Sequence, residues 1–171
     1  RPPRSTLFPY TTLFRFARVA YFHNVLEIMV PLPEHEKPKE LISDIVKTLL
    51  KASQRRYEAF GSTTFRKPGI AGVEPDACFY IANYQAMISR RRLEADDPPP
   101  DLAIETDVTS KTTLGAYQAI AVPELWIYAN RQLTIYLLEN DQYVTVSESP
   151  TFPALPRSEE HTSELQSPMY L

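Results

Sequence analysis

The run "DPPPDLAIETDVTSK", residues 97–111, carries Asp101, Glu105, Asp107 and Lys111 through a segment otherwise built for burial. In a strand alternate side chains share a face. Asp101, Ala103, Glu105 and Asp107 therefore point one way, and Leu102, Ile104, Thr106 and Val108 the other. Glu105 and Asp107 then stand roughly 7 Å apart at their Cα atoms, since a strand rises about 3.3 Å per residue. Two like charges so placed in a partly buried sheet repel unless a cation sits between them. A hard divalent ion such as Mg²⁺ answers that need, because it takes carboxylate oxygens and keeps waters for chemistry. The competing reading is an edge strand whose polar face meets solvent. Asp76 supplies a further carboxylate at the mouth of "PDACFYI", where Pro75 stiffens the entry. If its strand neighbours that of Glu105, the two acids can meet over one ion.

Several elements must position these groups. "RVAYFHNVLEIMV" reads as a hairpin turning at His23-Asn24. "PEHEKPKELISDIVKTLLKAS" follows as an amphipathic helix, with Leu41, Ile42, Ile45, Val46, Leu49 and Leu50 as its core stripe. Pro38 falls in its first turns, so the regular part is expected to begin there. "RYEAFGSTTFRK" reads as short strands about a turn at Gly61-Ser62, and "GVEPDACFYI" as a further strand. Residues 82–100 form a polar connection with a helical turn around "YQAMI". "DLAIETDV" is a strand, "TTLGAYQAIA" a short helix, and the segment from Val122 to Ser149 a meander of three strands. Hairpins mixed with strand–helix–strand units give an α/β class with a mixed sheet.

The two ends read differently. "RPPRSTLFPYTTLFR" (1–15) is what one short-read sequencing adapter encodes in translation, and "RSEEHTSELQS" is what the opposite adapter encodes. Residues 1–15 and 157–171 are therefore taken as adapter-derived and set aside from the fold, leaving one domain over 16–156 that lacks its native N-terminus. The formal net charge of the whole chain is −3. The end segments contain four arginines and three glutamates, so the domain is acidic without them. It carries no footprint of bulk electrostatic nucleic-acid binding. A single Cys78 excludes an intramolecular disulfide, suits a reducing cytoplasm, and reads as a small buried hydrophobe. No apolar run reaches membrane-span length. One Cys with two histidines outside the end segments gives no zinc spacing. The chain has no Gly-rich phosphate loop and no G-x-S-x-G elbow.

A PD at one strand mouth followed by an acid pair at i, i+2 on another resembles the PD-(D/E)xK nucleases. Within them, the blocks "VLEIMVPLPEHEK", "GSTTF", "GVEPDACFYI", "DPPPDLAIETDVTSKTTL", "YQAIAVPELWIY" and "FPAL" resemble the Uma2 family in order and in coverage. The resemblance implies a restriction-endonuclease-like fold, a central mixed sheet flanked by helices. It also implies hydrolysis of DNA phosphodiester bonds with Mg²⁺ or Mn²⁺, with a homodimer left open. By position, Asp76 and Glu105 are the two acids, both catalytic and metal-binding. The third motif position should be Lys, and here it is Asp107. Either Asp107 is an extra metal ligand with Lys111 as the displaced catalytic cation, or efficient catalysis is lost. In the second case the domain binds nucleic acid or a protein partner. A third reading makes the acids mere surface. Other candidates are weaker. Glu34, His35 and Glu36 open the long helix, where acids complement the dipole. Glu27 is a surface residue or a site acid. Arg90-Arg91-Arg92, Arg55-Arg56 and Arg66-Lys67 are either solvated or set against phosphates. Trp126, Tyr128 and Tyr117 read as core.

Overall fold

Turn chemistry delimits most strands. The computed structural model describes residues 18–29, 33–61, 63–94, 96–106 and 111–153, without the side chains of 33–36, 111 and 112. Strands β1 (Arg18–Phe22) and β2 (Val25–Met29) form the expected hairpin, with His23 and Asn24 at φ 47° and 64°. Both turn residues are left-handed, as a two-residue hairpin turn requires. Helix α1 (Pro33–Ala52) runs on through Pro38. The regular helix thus begins earlier than Pro38 suggests, because losing one backbone hydrogen bond near the N-terminus is offset by packing further along. Its buried stripe is narrower than the sequence implies: Ile42, Val46 and Leu50 are buried, while Leu41 and Ile45 are exposed.

Next come β3 (Glu58–Gly61), β4 (Phe65–Lys67), β5 (Ala71–Val73), β6 (Ala77–Tyr80) and the helical turn α2 (Tyr84–Met87). Ser62 of the expected Gly61-Ser62 turn lies outside the described residues, and the strands on either side of it do not pair with each other. β3 pairs with β6 and β4 with β5, so the chain leaves one sheet for another there. β7 (Leu102–Thr106), α3 (Lys111–Ile120) and β8 (Glu124–Ala129) form a strand–helix–strand unit whose strands are parallel. β9 (Gln132–Glu139) and β10 (Gln142–Val146) complete the antiparallel meander.

Among the described residues the strands make two sheets, ordered β2-β1-β5-β4 and β10-β9-β8-β7-β6-β3. Alternation in the larger sheet feeds two cores. Ala77, Phe79, Leu102, Ile104 and Trp126 face α1 through Ile42, Val46 and Leu50. Cys78, Tyr80, Ala103 and Leu125 face the other way, onto Ala116 and Tyr117 of α3 and onto Ala20 and Val73 of the smaller sheet. α3 therefore lies between the sheets. Cys78 is fully buried, and burial pushes its thiol up to about 12, in keeping with an inert packing role. No helix among the described residues is long and apolar enough to cross a membrane.

Candidate active site

β6 and β7 pair antiparallel with Ala77 opposite Ile104, Cys78 opposite Ala103 and Phe79 opposite Leu102. One step further along that register sets Asp76 opposite Glu105. Directly opposed residues of an antiparallel pair share a face, and here it is the α3 face. Side-chain bonds agree with the placement. The Thr106 N–H donates to Asp76 Oδ2 at 2.7 Å, and the Thr106 hydroxyl donates to the same oxygen at 2.5 Å. Asp76 is 1% exposed and Glu105 2% exposed. β7 lies between β6 and β8, so the solvent-facing edge strand is ruled out. Likewise these two acids are not mere surface.

Buried carboxylates need compensation. The Arg18 guanidinium, at the start of β1, forms an ion pair with Asp76 Oδ1. It also pulls the Glu105 carboxyl down electrostatically. The cation paired with Asp76 is thus an arginine of the chain itself. The Tyr117 hydroxyl, from α3, donates to Glu105 Oε1 at 2.5 Å. Burial nevertheless pushes Glu105 up to about 7, against the Tyr117 hydrogen bond and Arg18, and with a smaller push from Glu74. The Tyr117 phenol is held well above its ordinary range by the same burial and then by Glu105 itself.

Glu27 proves to face inward. It is paired with Ala20 across the β1–β2 hairpin, and Ala20 is buried in the core beneath α3. The Thr113 hydroxyl reaches Glu27 Oε2 at 3.3 Å. Thr113 and Tyr117 are four apart, so one stripe of α3 meets both Glu27 and Glu105. Lys111 is the first residue of α3, two before Thr113. Its side chain lies outside the described residues. Asp107 and its three successors lie outside the described residues, as do the side chains of Glu34, His35 and Glu36.

Asp101 does not join Glu105. Its Oδ2 accepts from the Ile81 N–H at 2.6 Å and the Asn83 N–H at 3.2 Å, and its Oδ1 from the Asn83 amide at 3.1 Å. It precedes β7, so strand alternation does not govern it, and it ties down the β6–α2 turn. Trp126 is core as expected, its Nε1–H donating to Glu124 Oε1 at 2.7 Å. Tyr128 packs beside it, half-buried. Arg18 was missed from sequence, where a lone cation at a strand start carries no signal. Tyr117 was assigned to the core correctly, but its hydroxyl contact was not foreseen.

Asp76 Oδ1 is buried and accepts no hydrogen bond, its charge met only by the ion pair with Arg18. Oxygen donors from two strands are what a hard divalent ion takes, so the residues fit. Among the described residues no group of three or more His, Cys, Asp or Glu is arranged to hold a metal. The described pair therefore needs ligands from water, substrate or the undescribed segment after Thr106.

A family model, Uma2, described as "Putative restriction endonuclease", matches residues 11–169. The matched range enters both terminal segments, which lie outside the described residues. Nothing among the curated proteins matches. Among solved structures, the chain is similar to a crystal structure of "a putative nuclease belonging to DUF820" from Anabaena variabilis ATCC 29413. The TM-score is 0.57 at 16% identity, covering 79% of this chain and 83% of that one. That likeness is one of fold, and it bears out the restriction-endonuclease-like architecture.

Proposed function

Because the chain belongs to the Uma2 family of restriction-endonuclease-like proteins, we propose that it is a metal-dependent endonuclease hydrolysing DNA phosphodiester bonds. The single observation behind this reading is the pairing of Asp76 and Glu105, two buried carboxylates from adjacent strands gathered on one positive charge. Asp76 and Glu105 would hold Mg²⁺ or Mn²⁺, with Asp107 as a further ligand. Such an ion, when bound, polarises the scissile phosphate and acidifies an attacking water.

The remaining roles belong to the chain. Thr106 fixes the Asp76 carboxylate through Oδ2 and leaves Oδ1 for a cation. Tyr117 fixes Glu105 through Oε1. Glu105 must shed its proton to act as a ligand, and with its carboxyl raised to about 7 that proton is half lost near neutrality. Arg18 must turn from Asp76 for Oδ1 to become available. Lys111, at the head of α3, is proposed as the cation displaced from the third motif position. Because a ligand carboxyl must be deprotonated to bind an ion, activity should rise as pH passes through about 7.

A second reading has one observation in its favour. Arg18 already occupies Asp76 with an ion pair, as expected of a nuclease fold that binds nucleic acid or protein without cutting. Purified protein with Mg²⁺ or Mn²⁺ and supercoiled plasmid separates the two. Nicking abolished by EDTA and by Glu105→Ala supports the enzyme. DNA retention without cleavage, indifferent to Glu105→Ala, supports the binding domain. Lys111→Ala should slow nicking greatly, and a normal rate would discard the displaced lysine.

A further inference from the structure

The cation clusters of the sequence are not equivalent once folded. Arg55 donates to the Thr151 carbonyl at 2.6 Å, and Arg56 to the Tyr84 hydroxyl at 3.4 Å. Arg90 is consumed within its own loop, paired with Glu94 at 3.2 Å and Asp97 at 2.9 Å. Lys67 donates to the Ala119 carbonyl at 3.1 Å, near the C-terminal end of α3. Arg66 and Arg92 are exposed, and among the described residues neither side chain makes an ion pair or hydrogen bond.

Both line one groove of about 750 Å³, at the end of α3 away from Thr113 and its acids. Lys67, Thr63 and Thr64 share its wall, and Leu93, Pro98, Pro99 and Ile120 give it an apolar surface. Glu94 and Asp97 also border the groove, but both pair with Arg90, which offsets part of their charge, and three cations (Arg66, Lys67 and Arg92) line the groove against these two acids. The wall therefore carries excess positive charge. Asp97 Oδ2 accepts from the Glu94 N–H at 2.7 Å, which closes the loop after Arg92 and sets that residue's approach in advance. A guanidinium pair suits phosphate oxygens, which it can grip in a fork. An apolar surface beside such cations suits a flat organic ring, and the volume falls in the range of small-ligand sites, roughly 300–1,000 Å³.

We propose that this groove binds a nucleotide, its phosphate on Arg66 and Arg92 and its base against Leu93, Pro98 and Ile120. The nucleotide can be free, or part of a single strand leading away from the acids. Only the second source rests on the nuclease reading. The cationic wall with an apolar surface is also how single strands are held without sequence readout.

The test uses the full chain in EDTA, so that binding is read without cleavage. Fluorescence anisotropy follows a labelled short single-stranded oligonucleotide over a salt series, and adenosine monophosphate is titrated separately by calorimetry. In Arg66→Gln/Arg92→Gln, the slope of log K against log salt should flatten by about 1.4, two contacts at about 0.7 each for a single strand. Arg91→Gln, in the same loop but outside the groove, should leave the slope unchanged, and thermal melting confirms that each variant is folded. Monophosphate binding lost in the double variant, with no oligonucleotide binding, assigns the groove to free nucleotides. Failure of both probes to bind, an unaltered slope in the double variant, or an equal loss in Arg91→Gln overturns the proposal. Glu105→Gln separates it from the catalytic reading: that variant should stop nicking while retaining the oligonucleotide, and a plasmid that is never nicked leaves the binding result intact.

Discussion

Glu105 carries an ionisation that folding opposes, and Glu105→Gln exposes it. The carboxyl is ordinarily at 4.5 and is raised by burial to about 7 in the folded protein. Between those values the folded state keeps a proton that the unfolded state has lost. Stability must therefore fall as pH rises through this window: the proton's contribution is complete below 4.5 and gone above 7. A difference of about 2.5 pH units, at 1.36 kcal/mol each, makes the fall about 3 kcal/mol. That is a large share of the roughly 5–15 kcal/mol that holds a small domain together. Glutamine cannot ionise, yet it retains an oxygen for the Tyr117 hydroxyl. Urea unfolding of both proteins in EDTA, from pH 4.5 to pH 8.5, reads the effect as a difference between two extrapolated stabilities. The variant should gain on the wild type by about 3 kcal/mol across the window, most of it between pH 5 and pH 7. A difference that stays flat would mean that Arg18 and Tyr117 fully offset burial. A gain for the wild type at high pH would mean that they outweigh it. Either result would refute the reasoning.

Three other perturbations follow from the packing. Tyr117→Phe removes the donor that lowers Glu105, so it should cost about 1–3 kcal/mol and cost more at pH 8 than at pH 4.5 in the same urea series. Glu124→Ala strands the Trp126 Nε1–H, the Ser149 and Thr151 hydroxyls and the Thr151 N–H, all now held by one buried carboxylate, and should destabilise by about 3 kcal/mol or more in chemical denaturation. Gly115→Ala drives a methyl into the Phe22 ring, so despite alanine's helix preference of about 1 kcal/mol it should lower stability by about 1–3 kcal/mol, read as a reduced denaturation midpoint.

Local chemistry made part of the fold legible. His23-Asn24, Asn130-Arg131 and Asn140-Asp141 all turn with positive φ, and each ends a run of strand-forming residues. The α1 and α3 periodicities and the closing meander were readable for the same reason. Sheet membership was not. Nothing within "FGSTTF" says that β3 and β4 belong to different sheets, because strand pairing is decided by partners distant in sequence. The candidate site divides along the same line. Asp76 and Glu105 could be named because each stands in an unusual local setting, a Pro-Asp entry and an acid inside an apolar strand. Their compensation could not, since Arg18 comes from the other sheet. The arginine triplet makes the point in reverse: three identical neighbours in sequence become a paired residue, Arg90, an exposed one, Arg91, and a groove residue, Arg92.

Arg18 has a consequence for how the protein is made. In small metal-dependent domains the ion is often the last piece of the fold, and a chain without it stays unfolded. Here Asp76 has its counter-charge in a residue synthesised with it, and Glu105 can stay protonated, so the polypeptide can reach its native shape whatever the ion supply. On the proposed metal-dependent reading, assembly and activation would be separate events, and withholding the ion would change what the domain does without changing how much of it survives.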